Sequence, residues 1–173
     1  MTTDHLAVGE RVLLRRWRAE DADAVFDACQ DPEVQRWTTV PTPYEREHAE
    51  EFVTAFSDHQ WATGESAPCA LTLHDGTLVG SIGVVEFDGP VCTVGYWTAP
   101  AHRGAGLTTE GLRLLVKWLF AERGAVRVRL EADVRNGASR AVARKAGFVE
   151  EHVGAEMAVY SCSYSTEIDT LLG

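Results

Sequence analysis

A glycine loop past the middle of the chain contains the residue types that bind an anion. Arg103, Gly104 and Gly106 follow a β-rich run that stops at Pro100, and an apolar pattern with helical spacing begins at Leu112. The first turn of a helix directs unpaired backbone N–H groups and the positive end of its dipole at such a loop. Glycine lets the backbone approach the ligand closely and adopt a positive φ. The sequence therefore predicts a strand, a phosphate-binding loop and a helix.

Two common phosphate-binding motifs do not describe this loop. The P-loop of nucleotide hydrolases requires a lysine and then a serine or threonine after its last glycine, whereas Leu107 and Thr108 follow Gly106. The dinucleotide fingerprint requires three glycines in G-x-G-x-x-G spacing after a first strand. Gly104, Gly106 and Gly111 do not keep that spacing, and they lie past mid-chain.

The loop resembles the pyrophosphate loop of the GNAT acyltransferase superfamily, whose signature is Arg or Gln, two residues, Gly, one residue, then Gly or Ala. Residues 103–107 match this signature, and Thr108 stands where Gly or Ala is expected. The Gly-Tyr-Trp at residues 95–97 resembles the RimJ/RimL-type branch of protein N-terminal acetyltransferases. A second block agrees with that branch, with Asn-Gly-Ala-Ser at residues 136–139 and Arg-Lys-Ala-Gly-Phe at residues 144–148. The two blocks stand in the expected order and at the expected separation.

The resemblance implies that acetyl-CoA is the co-substrate and that the loop holds its diphosphate. We expect backbone amides of the loop to bind phosphate oxygens, with Arg103 adding positive charge. Thr108 and Thr109 either bind phosphate through their hydroxyl groups or cap the helix. In relatives, the residue matching Asn136 binds the pantetheine arm. The expected cofactor-binding residues are Trp97, Thr98, Arg103, Gly104, Ala105, Gly106, Leu107, Thr108, Thr109, Asn136 and Ser139.

Acetyl transfer from a thioester to an amine requires that the amine lose a proton and that the departing thiolate gain one. In relatives, a serine that matches Ser139 lies beside the sulfur as a proton donor, so the resemblance makes Ser139 the candidate general acid. Its alternative role is structural, because Asn136 is a favoured N-cap and a serine three residues later completes the first helical turn. Tyr160 and Tyr164, in the last predicted strand, are the second candidates for this donor.

The catalytic base is harder to assign. Relatives often carry an acid two residues before the glycine of Gly-Tyr-Trp, and Thr93 occupies that position here. Glu86 is the nearest substitute, because strand alternation predicts it on the same face as Ile82 and Val84. Partial burial there would make its carboxyl a better proton acceptor near neutral pH. Alternatively, Glu86 is a solvated acid at a strand end, or no protein base is needed.

The elements that must position these residues indicate one α+β domain. Strand-like runs occupy residues 11–17, 67–73, 78–87, 91–97, 126–132, 148–153 and 156–163. Helical patterns occupy residues 45–61, 108–123 and 136–146, and short helices begin near Asp21 and at Asp31. We predict a GNAT-type mixed, largely antiparallel sheet of about six to seven strands flanked by helices. The single domain would span residues 1–173.

Acidic residues are concentrated in one part of the chain. The net charge is −10, and residues 19–66 alone contain twelve acidic and two basic side chains. This distribution argues against nucleic acid as a partner, because phosphate binding favours a basic face. In this superfamily the early helices cover the acceptor side, so the acidic segment suggests a cationic acceptor. The alternative is an ordinary solvated helix face in an acidic protein.

The sequence also indicates the cellular compartment in which we expect the protein. No apolar run approaches the roughly 20 residues of a membrane span, and the N-terminus lacks the basic and then apolar pattern of a signal peptide. We therefore expect a cytoplasmic protein with no membrane partner. The cysteines form no C-x-x-C pair and are expected as reduced core thiols without a metal site. A homodimer is possible by analogy, since relatives are often homodimers.

The sequence thus predicts an acetyl-CoA-dependent N-acetyltransferase in which a primary amine attacks the thioester directly. The acceptor is either a peptide or protein N-terminus, as the RimJ/RimL resemblance implies, or a small cationic amine. The alternative from another class is a non-catalytic acyl-CoA-binding protein or sensor of the same fold. Thr93 and Thr108, which depart from the family pattern, leave that alternative open.

Overall fold

A computed structural model of the chain describes residues 5–165, so the ends of the predicted domain, residues 1–4 and 166–173, lie outside the described residues. Eight strands were found there: β1 His5–Val8, β2 Val12–Arg15, β3 Ala67–Leu73, β4 Leu78–Asp88, β5 Val91–Thr98, β6 Arg127–Asp133, β7 Val149–Val153 and β8 Met157–Ser163. They form one sheet in the order β1-β2-β3-β4-β5-β6-β8-β7. All neighbours are antiparallel except β5 and β6, which are parallel.

The predicted fold class is confirmed, and the sheet has one strand more than the upper end of the prediction. The additional strand is β1, in which His5 pairs with Arg15 and Ala7 with Leu14 across a bulge. It has only four residues, so its own sequence offers too short an alternation to identify. Pairing with β2 is what makes this segment extended.

Within residues 5–165, six α-helices flank the sheet: α1 Ala22–Cys29, α2 Pro32–Trp37, α3 Arg46–Glu51, α4 Ser57–Thr63, α5 Leu107–Glu122 and α6 Gly137–Lys145. The helix predicted over residues 45–61 is divided, because a π-helical turn, Phe52–Phe56, separates α3 from α4. This turn places the Phe52 ring edge-on to Trp17, with 5.3 Å between centroids, and stacks it on Phe56 at 5.8 Å. These contacts of the Phe52 ring occur where the helix changes from α-helical to π-helical hydrogen bonding.

Two apolar clusters cover the two faces of the sheet. The first contains buried side chains of α5 and α6, including Leu112, Leu115 and Ala143. The second contains buried side chains of α1, α2 and α3, including Val25 and Val34. Successive residues of a strand point to opposite faces, so a single strand can supply side chains to both clusters.

A buried ion pair orients the first helix on this scaffold. Arg15, at the end of β2, donates two hydrogen bonds of 2.7 Å to the carboxylate of Asp21. Their exposed fractions are only 4% and 8%. Asp21 also accepts a hydrogen bond of 2.9 Å from the backbone N–H of Arg18. The pair thereby joins the sheet to the segment that begins α1.

Candidate active site

The glycine loop joins β5 to α5 and has the geometry expected of an anion site. After Thr98, a short 3-10 turn, Pro100–His102, leads to Gly104 and Gly106, whose φ angles are 75° and 76°. Residues with side chains rarely adopt such angles. Gly106 immediately precedes α5 and has no side chain with which to cap the helix. The first-turn N–H groups of α5 are therefore available to a ligand.

Arg11 and Glu110, which the sequence did not identify as site residues, hold this loop in place through contacts that we call the brace. Arg11 donates a hydrogen bond of 2.8 Å to the carbonyl of Ala105 and pairs with Glu110 at 2.9 Å. Glu110 also accepts the backbone N–H groups of Arg11 and Val12. Burial acts to raise the pKa of Glu110, but these hydrogen bonds hold it below its usual value. The brace occupies the loop carbonyls and fixes the start of α5.

Arg103, the basic residue of the loop, is bound to another acid. Its Nη2 lies 2.6 Å from Oδ1 of Asp31, and its Nε donates to the carbonyl of Thr98 at 3.2 Å. The hydrogen bond from Arg103 lowers the pKa of Asp31. Asp31 also caps α2 by accepting the N–H groups of Glu33 and Val34. Arg103 therefore links the loop to α2.

The two threonines at the start of α5 are buried. Thr108 is 5% exposed and Thr109 8%. The hydroxyl groups of Thr108 and Thr98 lie 2.5 Å apart, so this pair joins the end of β5 to the first turn of α5. This contact uses one hydrogen-bonding position of the Thr108 hydroxyl, and phosphate binding by that hydroxyl stays a prediction. Its backbone N–H stays available at the helix start.

The sheet opens beside the loop. Residues 91–94 of β5 pair with residues 127–130 of β6, but the pairing of these two strands ends there. Beyond that point β5 continues along β4, and β6 continues along β8. The edge of β5 from Gly95 to Thr98 consequently faces an opening, which we call the split. Backbone groups on this edge that no neighbouring strand pairs can bind an extended ligand arm.

Ser139 and Tyr96 meet at the split. Asn136 caps α6 by accepting the N–H of Ser139 at 3.1 Å, so the predicted N-cap is present. The hydroxyl of Ser139 donates to the Tyr96 hydroxyl oxygen at 3.1 Å, and Tyr96 donates to the Ser139 carbonyl at 2.8 Å. Burial raises the pKa of Tyr96 to about 12. Tyr96 therefore stays protonated near neutral pH and bridges β5 to α6.

Helix α2 is held near both strands of the split. At its start, Asp31 binds Arg103 in the loop that follows β5. At its end, the Trp37 ring lies 5.9 Å from the guanidinium of Arg135, in the loop that follows β6. Arg135 in turn pairs with Asp133 at 2.6 Å. This helix and its acidic neighbours therefore border the open end of the split.

A model of the family described as the acetyltransferase (GNAT) domain matches residues 11–149. This chain belongs to the GNAT family. It is 38% identical over 81 residues to the provisionally named ribosomal N-acetyltransferase YdaF of Bacillus subtilis (strain 168), a match covering 46% of this chain and 44% of that protein. The chain thus spans less than half the length of this curated relative.

Two solved acetyltransferase structures are similar in fold to this chain. One is an acetyltransferase from Salmonella typhimurium, described as modifying the N-terminal serine of a 50S ribosomal subunit protein. It matches with a TM-score of 0.79 and 17% identity, over 92% of this chain and 99% of that one. The Microcin C7 self-immunity acetyltransferase MccE, solved with acetyl-CoA and AMP, has a TM-score of 0.84 and 16% identity, over 94% of this chain and 98% of that one. At these identities the likeness establishes the fold.

The candidate base of this GNAT chain does not have the environment that strand alternation predicted. A bulge lies between Val84, which pairs with Val94, and Glu86, which pairs with Thr93. The extra residue shifts the alternation, so Phe87 joins the cluster of Ile82 and Val84 while Glu86 is exposed. The expectation that Glu86 shares their face and is partly buried is wrong.

The alternative tyrosine donors are engaged elsewhere in the GNAT fold. Tyr160 is fully buried, donates to Glu150 at 2.8 Å and accepts from Arg140 at 2.9 Å. Tyr164 lies just beyond β8, is 55% exposed and packs on Phe120. These contacts favour Ser139 over either tyrosine as the donor in the split.

A wide cleft lies apart from the split. It has a volume of about 1010 Å³ and runs between β1 and the outer side of α5. It reaches the loop at Gly106 and Thr109, and both acidic and basic side chains line it, Arg11 and Glu110 among them. Neither Tyr96 nor Ser139 lines it. We therefore assign the candidate active site to the loop and the split.

Other features of the described residues bear on the earlier expectations. Across residues 5–165, no helix is long and apolar enough to cross a membrane. The same range contains no group of three or more His, Cys, Asp or Glu side chains placed to hold a metal ion. Cys29, Cys69, Cys92 and Cys162 are buried free thiols.

Proposed function

We propose that this protein is an acetyl-CoA-dependent N-acetyltransferase whose acceptor is the N-terminal amine of a protein. The observation that carries the proposal is the junction of the glycine loop with the split between β5 and β6. The loop supplies positive φ angles at Gly104 and Gly106 and the N–H groups of the α5 first turn for a diphosphate. The split supplies a free strand edge for the arm that carries the thioester. The chain's own residues therefore fit acetyl-CoA.

In the proposed reaction, a neutral amine attacks the thioester carbonyl. A C–N bond forms and the C–S bond breaks, the amine nitrogen loses one proton, and the sulfur gains one. Ser139 is the proposed proton donor, because its hydroxyl lies at the split, bound to Tyr96. Glu86 is the weaker proposal for the base, since it lacks the partial burial on which that role was argued. Water can carry the amine proton away instead.

The acceptor class is supported by charge and by relatives. Residues 19–66, which form α1 to α4, contain the acidic excess of the chain. An acidic surface attracts an ammonium group to the side of the sheet that these helices cover. YdaF carries a ribosomal N-acetyltransferase name, and the Salmonella typhimurium protein is described as modifying an N-terminal serine. A small cationic amine is the competing acceptor, because the same charge would attract it.

Thiol release from acetyl-CoA tests the proposal and its competitors. One panel contains short peptides with free N-termini, and a matched panel contains small cationic amines. We expect thiol release with the peptides, and no release with the same peptides after N-terminal formylation. Release with the small amines alone would overturn the protein acceptor. Stabilisation by acetyl-CoA without release in either panel would favour the non-catalytic binding protein.

Removing the hydroxyl of Tyr96 should slow the reaction through Ser139. For Tyr96→Phe we expect kcat to fall about 10-fold with little change in KM for acetyl-CoA, because the proton donor loses its partner while the loop is untouched. Tyr96 acts through Ser139, so the double variant with Ser139→Ala should be no slower than Ser139→Ala alone. Independent, multiplying losses of kcat in the double variant would contradict this coupling.

Releasing Arg103 from Asp31 should strengthen cofactor binding. Asp31→Asn keeps an N-cap residue for α2 but removes the negative charge that holds Arg103. We expect acetyl-CoA to bind roughly 3-fold to 10-fold more tightly at low salt, with the gain reduced at high salt. Isothermal titration calorimetry measures this, with Asp23→Asn on α1 as a control of equal charge. Equal affinity of the two variants would show that Asp31 does not compete with the phosphates.

A further inference from the structure

A small apolar cavity lies on the α1 to α4 side of the sheet, behind the split. Its volume is about 40 Å³, and its walls are Val25, Cys29, Val40, Tyr44, Phe52 and Trp97. The walls come from α1, from the segment between α2 and α3, from the π turn and from β5. Val40, Phe52 and Trp97 are partly exposed, whereas the other three residues are buried. The cavity therefore has a closed end and a side near solvent.

Trp97 connects this cavity to the reaction site. It belongs to the stretch of β5 whose edge faces the split, and its neighbour Tyr96 binds Ser139. Tyr96 packs with the α5 and α6 cluster, whereas Trp97 packs with the α1 to α3 cluster. The two side chains therefore point to opposite faces of the same strand. A group in the cavity lies across one strand from Ser139, on the side that carries the acidic helices.

The side chains that line the cavity include no acidic or basic group. Burial raises the pKa of Cys29 to about 11, and it also raises the pKa of Tyr44. Gln30 donates a hydrogen bond of 3.0 Å to the carbonyl of Tyr44 and holds this part of the wall in place. The wall is uncharged at neutral pH and offers an apolar group good contacts. A charged side chain would lose its hydration there without gaining a partner.

We propose that this cavity receives the side chain of the acceptor's first residue and selects a small apolar one. This inference rests on the proposed transfer to a protein N-terminus. One water needs about 10–15 Å³ in a cavity of this kind, so 40 Å³ admits a methyl or isopropyl group and excludes a phenyl ring. With the side chain seated against Trp97, the α-amine is left at the split, in the field of the acidic helices.

Peptides that differ only in the first residue test the inference. We compare kcat/KM for Gly, Ala, Val, Asp and Phe at that position, with acetyl-CoA saturating. We expect Val and Ala to exceed Gly, because each added methyl or methylene group in an apolar pocket raises kcat/KM about 10-fold or more. We expect Val to exceed Asp and Phe by at least about 10-fold, because a carboxylate would lose its hydration in the cavity and a phenyl ring does not fit it. Equal kcat/KM across the series would overturn the cavity proposal while leaving N-terminal acetylation intact. Absence of acetylation with every peptide would overturn the proposed function, and the cavity proposal with it.

Two variants at the mouth of the cavity complete the test. Val40→Phe should lower kcat/KM for the Val peptide about 10-fold, leave the Gly peptide nearly unchanged and leave KM for acetyl-CoA unchanged. Val40→Ala should shift preference toward larger first residues. Val126→Phe, an exposed site 54% accessible that does not line the cavity, is the matched control. A loss that is the same for every peptide in Val40→Phe, with no shift in Val40→Ala, would contradict the proposal.

Discussion

Replacing Gly106 with valine is expected to raise the Kd and KM for acetyl-CoA about 100-fold, because a displacement of about 1 Å in a binding loop costs this much. Gly106 has a φ of 76° at the start of α5. A β-branched residue cannot adopt this angle without strain, so the loop must move. Its N–H groups then no longer point at the diphosphate of acetyl-CoA. Calorimetric titration with acetyl-CoA and steady-state kinetics measure the effect.

Gly64 provides a matched control for this substitution. Its φ is 74°, it ends α4, and a Cβ there would meet nothing within 4 Å. Gly64→Val therefore introduces similar backbone strain outside the loop and should lower stability without weakening acetyl-CoA binding. If Gly106→Val and Gly64→Val bound acetyl-CoA equally well, the loop would not be the diphosphate site.

Removing the carboxylate of Asp21 should strongly lower the free energy of unfolding. Asp21→Ala leaves the Arg15 guanidinium buried without its two hydrogen bonds of 2.7 Å. Breaking one side of such a buried pair costs about 3–5 kcal/mol in the free energy of unfolding. Urea denaturation followed by circular dichroism measures this difference, provided that the slope of the transition is unchanged.

The control for Asp21 is Asp23 in the same segment. Asp23 pairs with Arg46, but its side chain is 73% exposed. Exposed ion pairs contribute little, so Asp23→Ala should leave the free energy of unfolding almost unchanged. Comparable losses in the two variants would mean that acidic charge near α1, and not the buried pair, determines stability.

Local sequence signals predicted the parts of the site that depend on neighbouring residues. The glycine loop and the start of α5 were confirmed by the positive φ angles. Asp31 caps α2, and Asn136 caps α6, because short polar side chains satisfy the first N–H groups of a helix. These features need only a few consecutive residues.

Contacts between distant parts of the chain could not be predicted in this way. The brace from Arg11 to Glu110 joins residues 99 positions apart, and the bond from Arg103 to Asp31 joins residues 72 positions apart. Such pairs depend on the order of strands in the sheet and on where each helix returns. Tyr96 was visible in the sequence as part of Gly-Tyr-Trp, and Ser139 as the candidate general acid, but the hydrogen bonds between them could be recognised only from the structure.

Glu86 shows how one extra residue defeats a periodicity argument. Strand alternation places residues 82, 84 and 86 on one face, and the bulge after Val84 moves Glu86 off that face. The π turn at Phe52 has a similar effect on the predicted helix, because it changes the spacing within an otherwise regular pattern. Neither irregularity has a signal in the surrounding sequence.

The most direct test of the account follows the acetyl group itself. The protein is incubated with acetyl-CoA labelled in the acetyl carbons and with a lysine-free peptide whose first residue is valine. Mass spectrometry then locates the label. The account predicts one labelled acetyl group on the α-amino nitrogen, and none on the peptide when the protein is omitted. An unlabelled peptide, in a sample where acetyl-CoA raises the melting temperature of the protein, would contradict it.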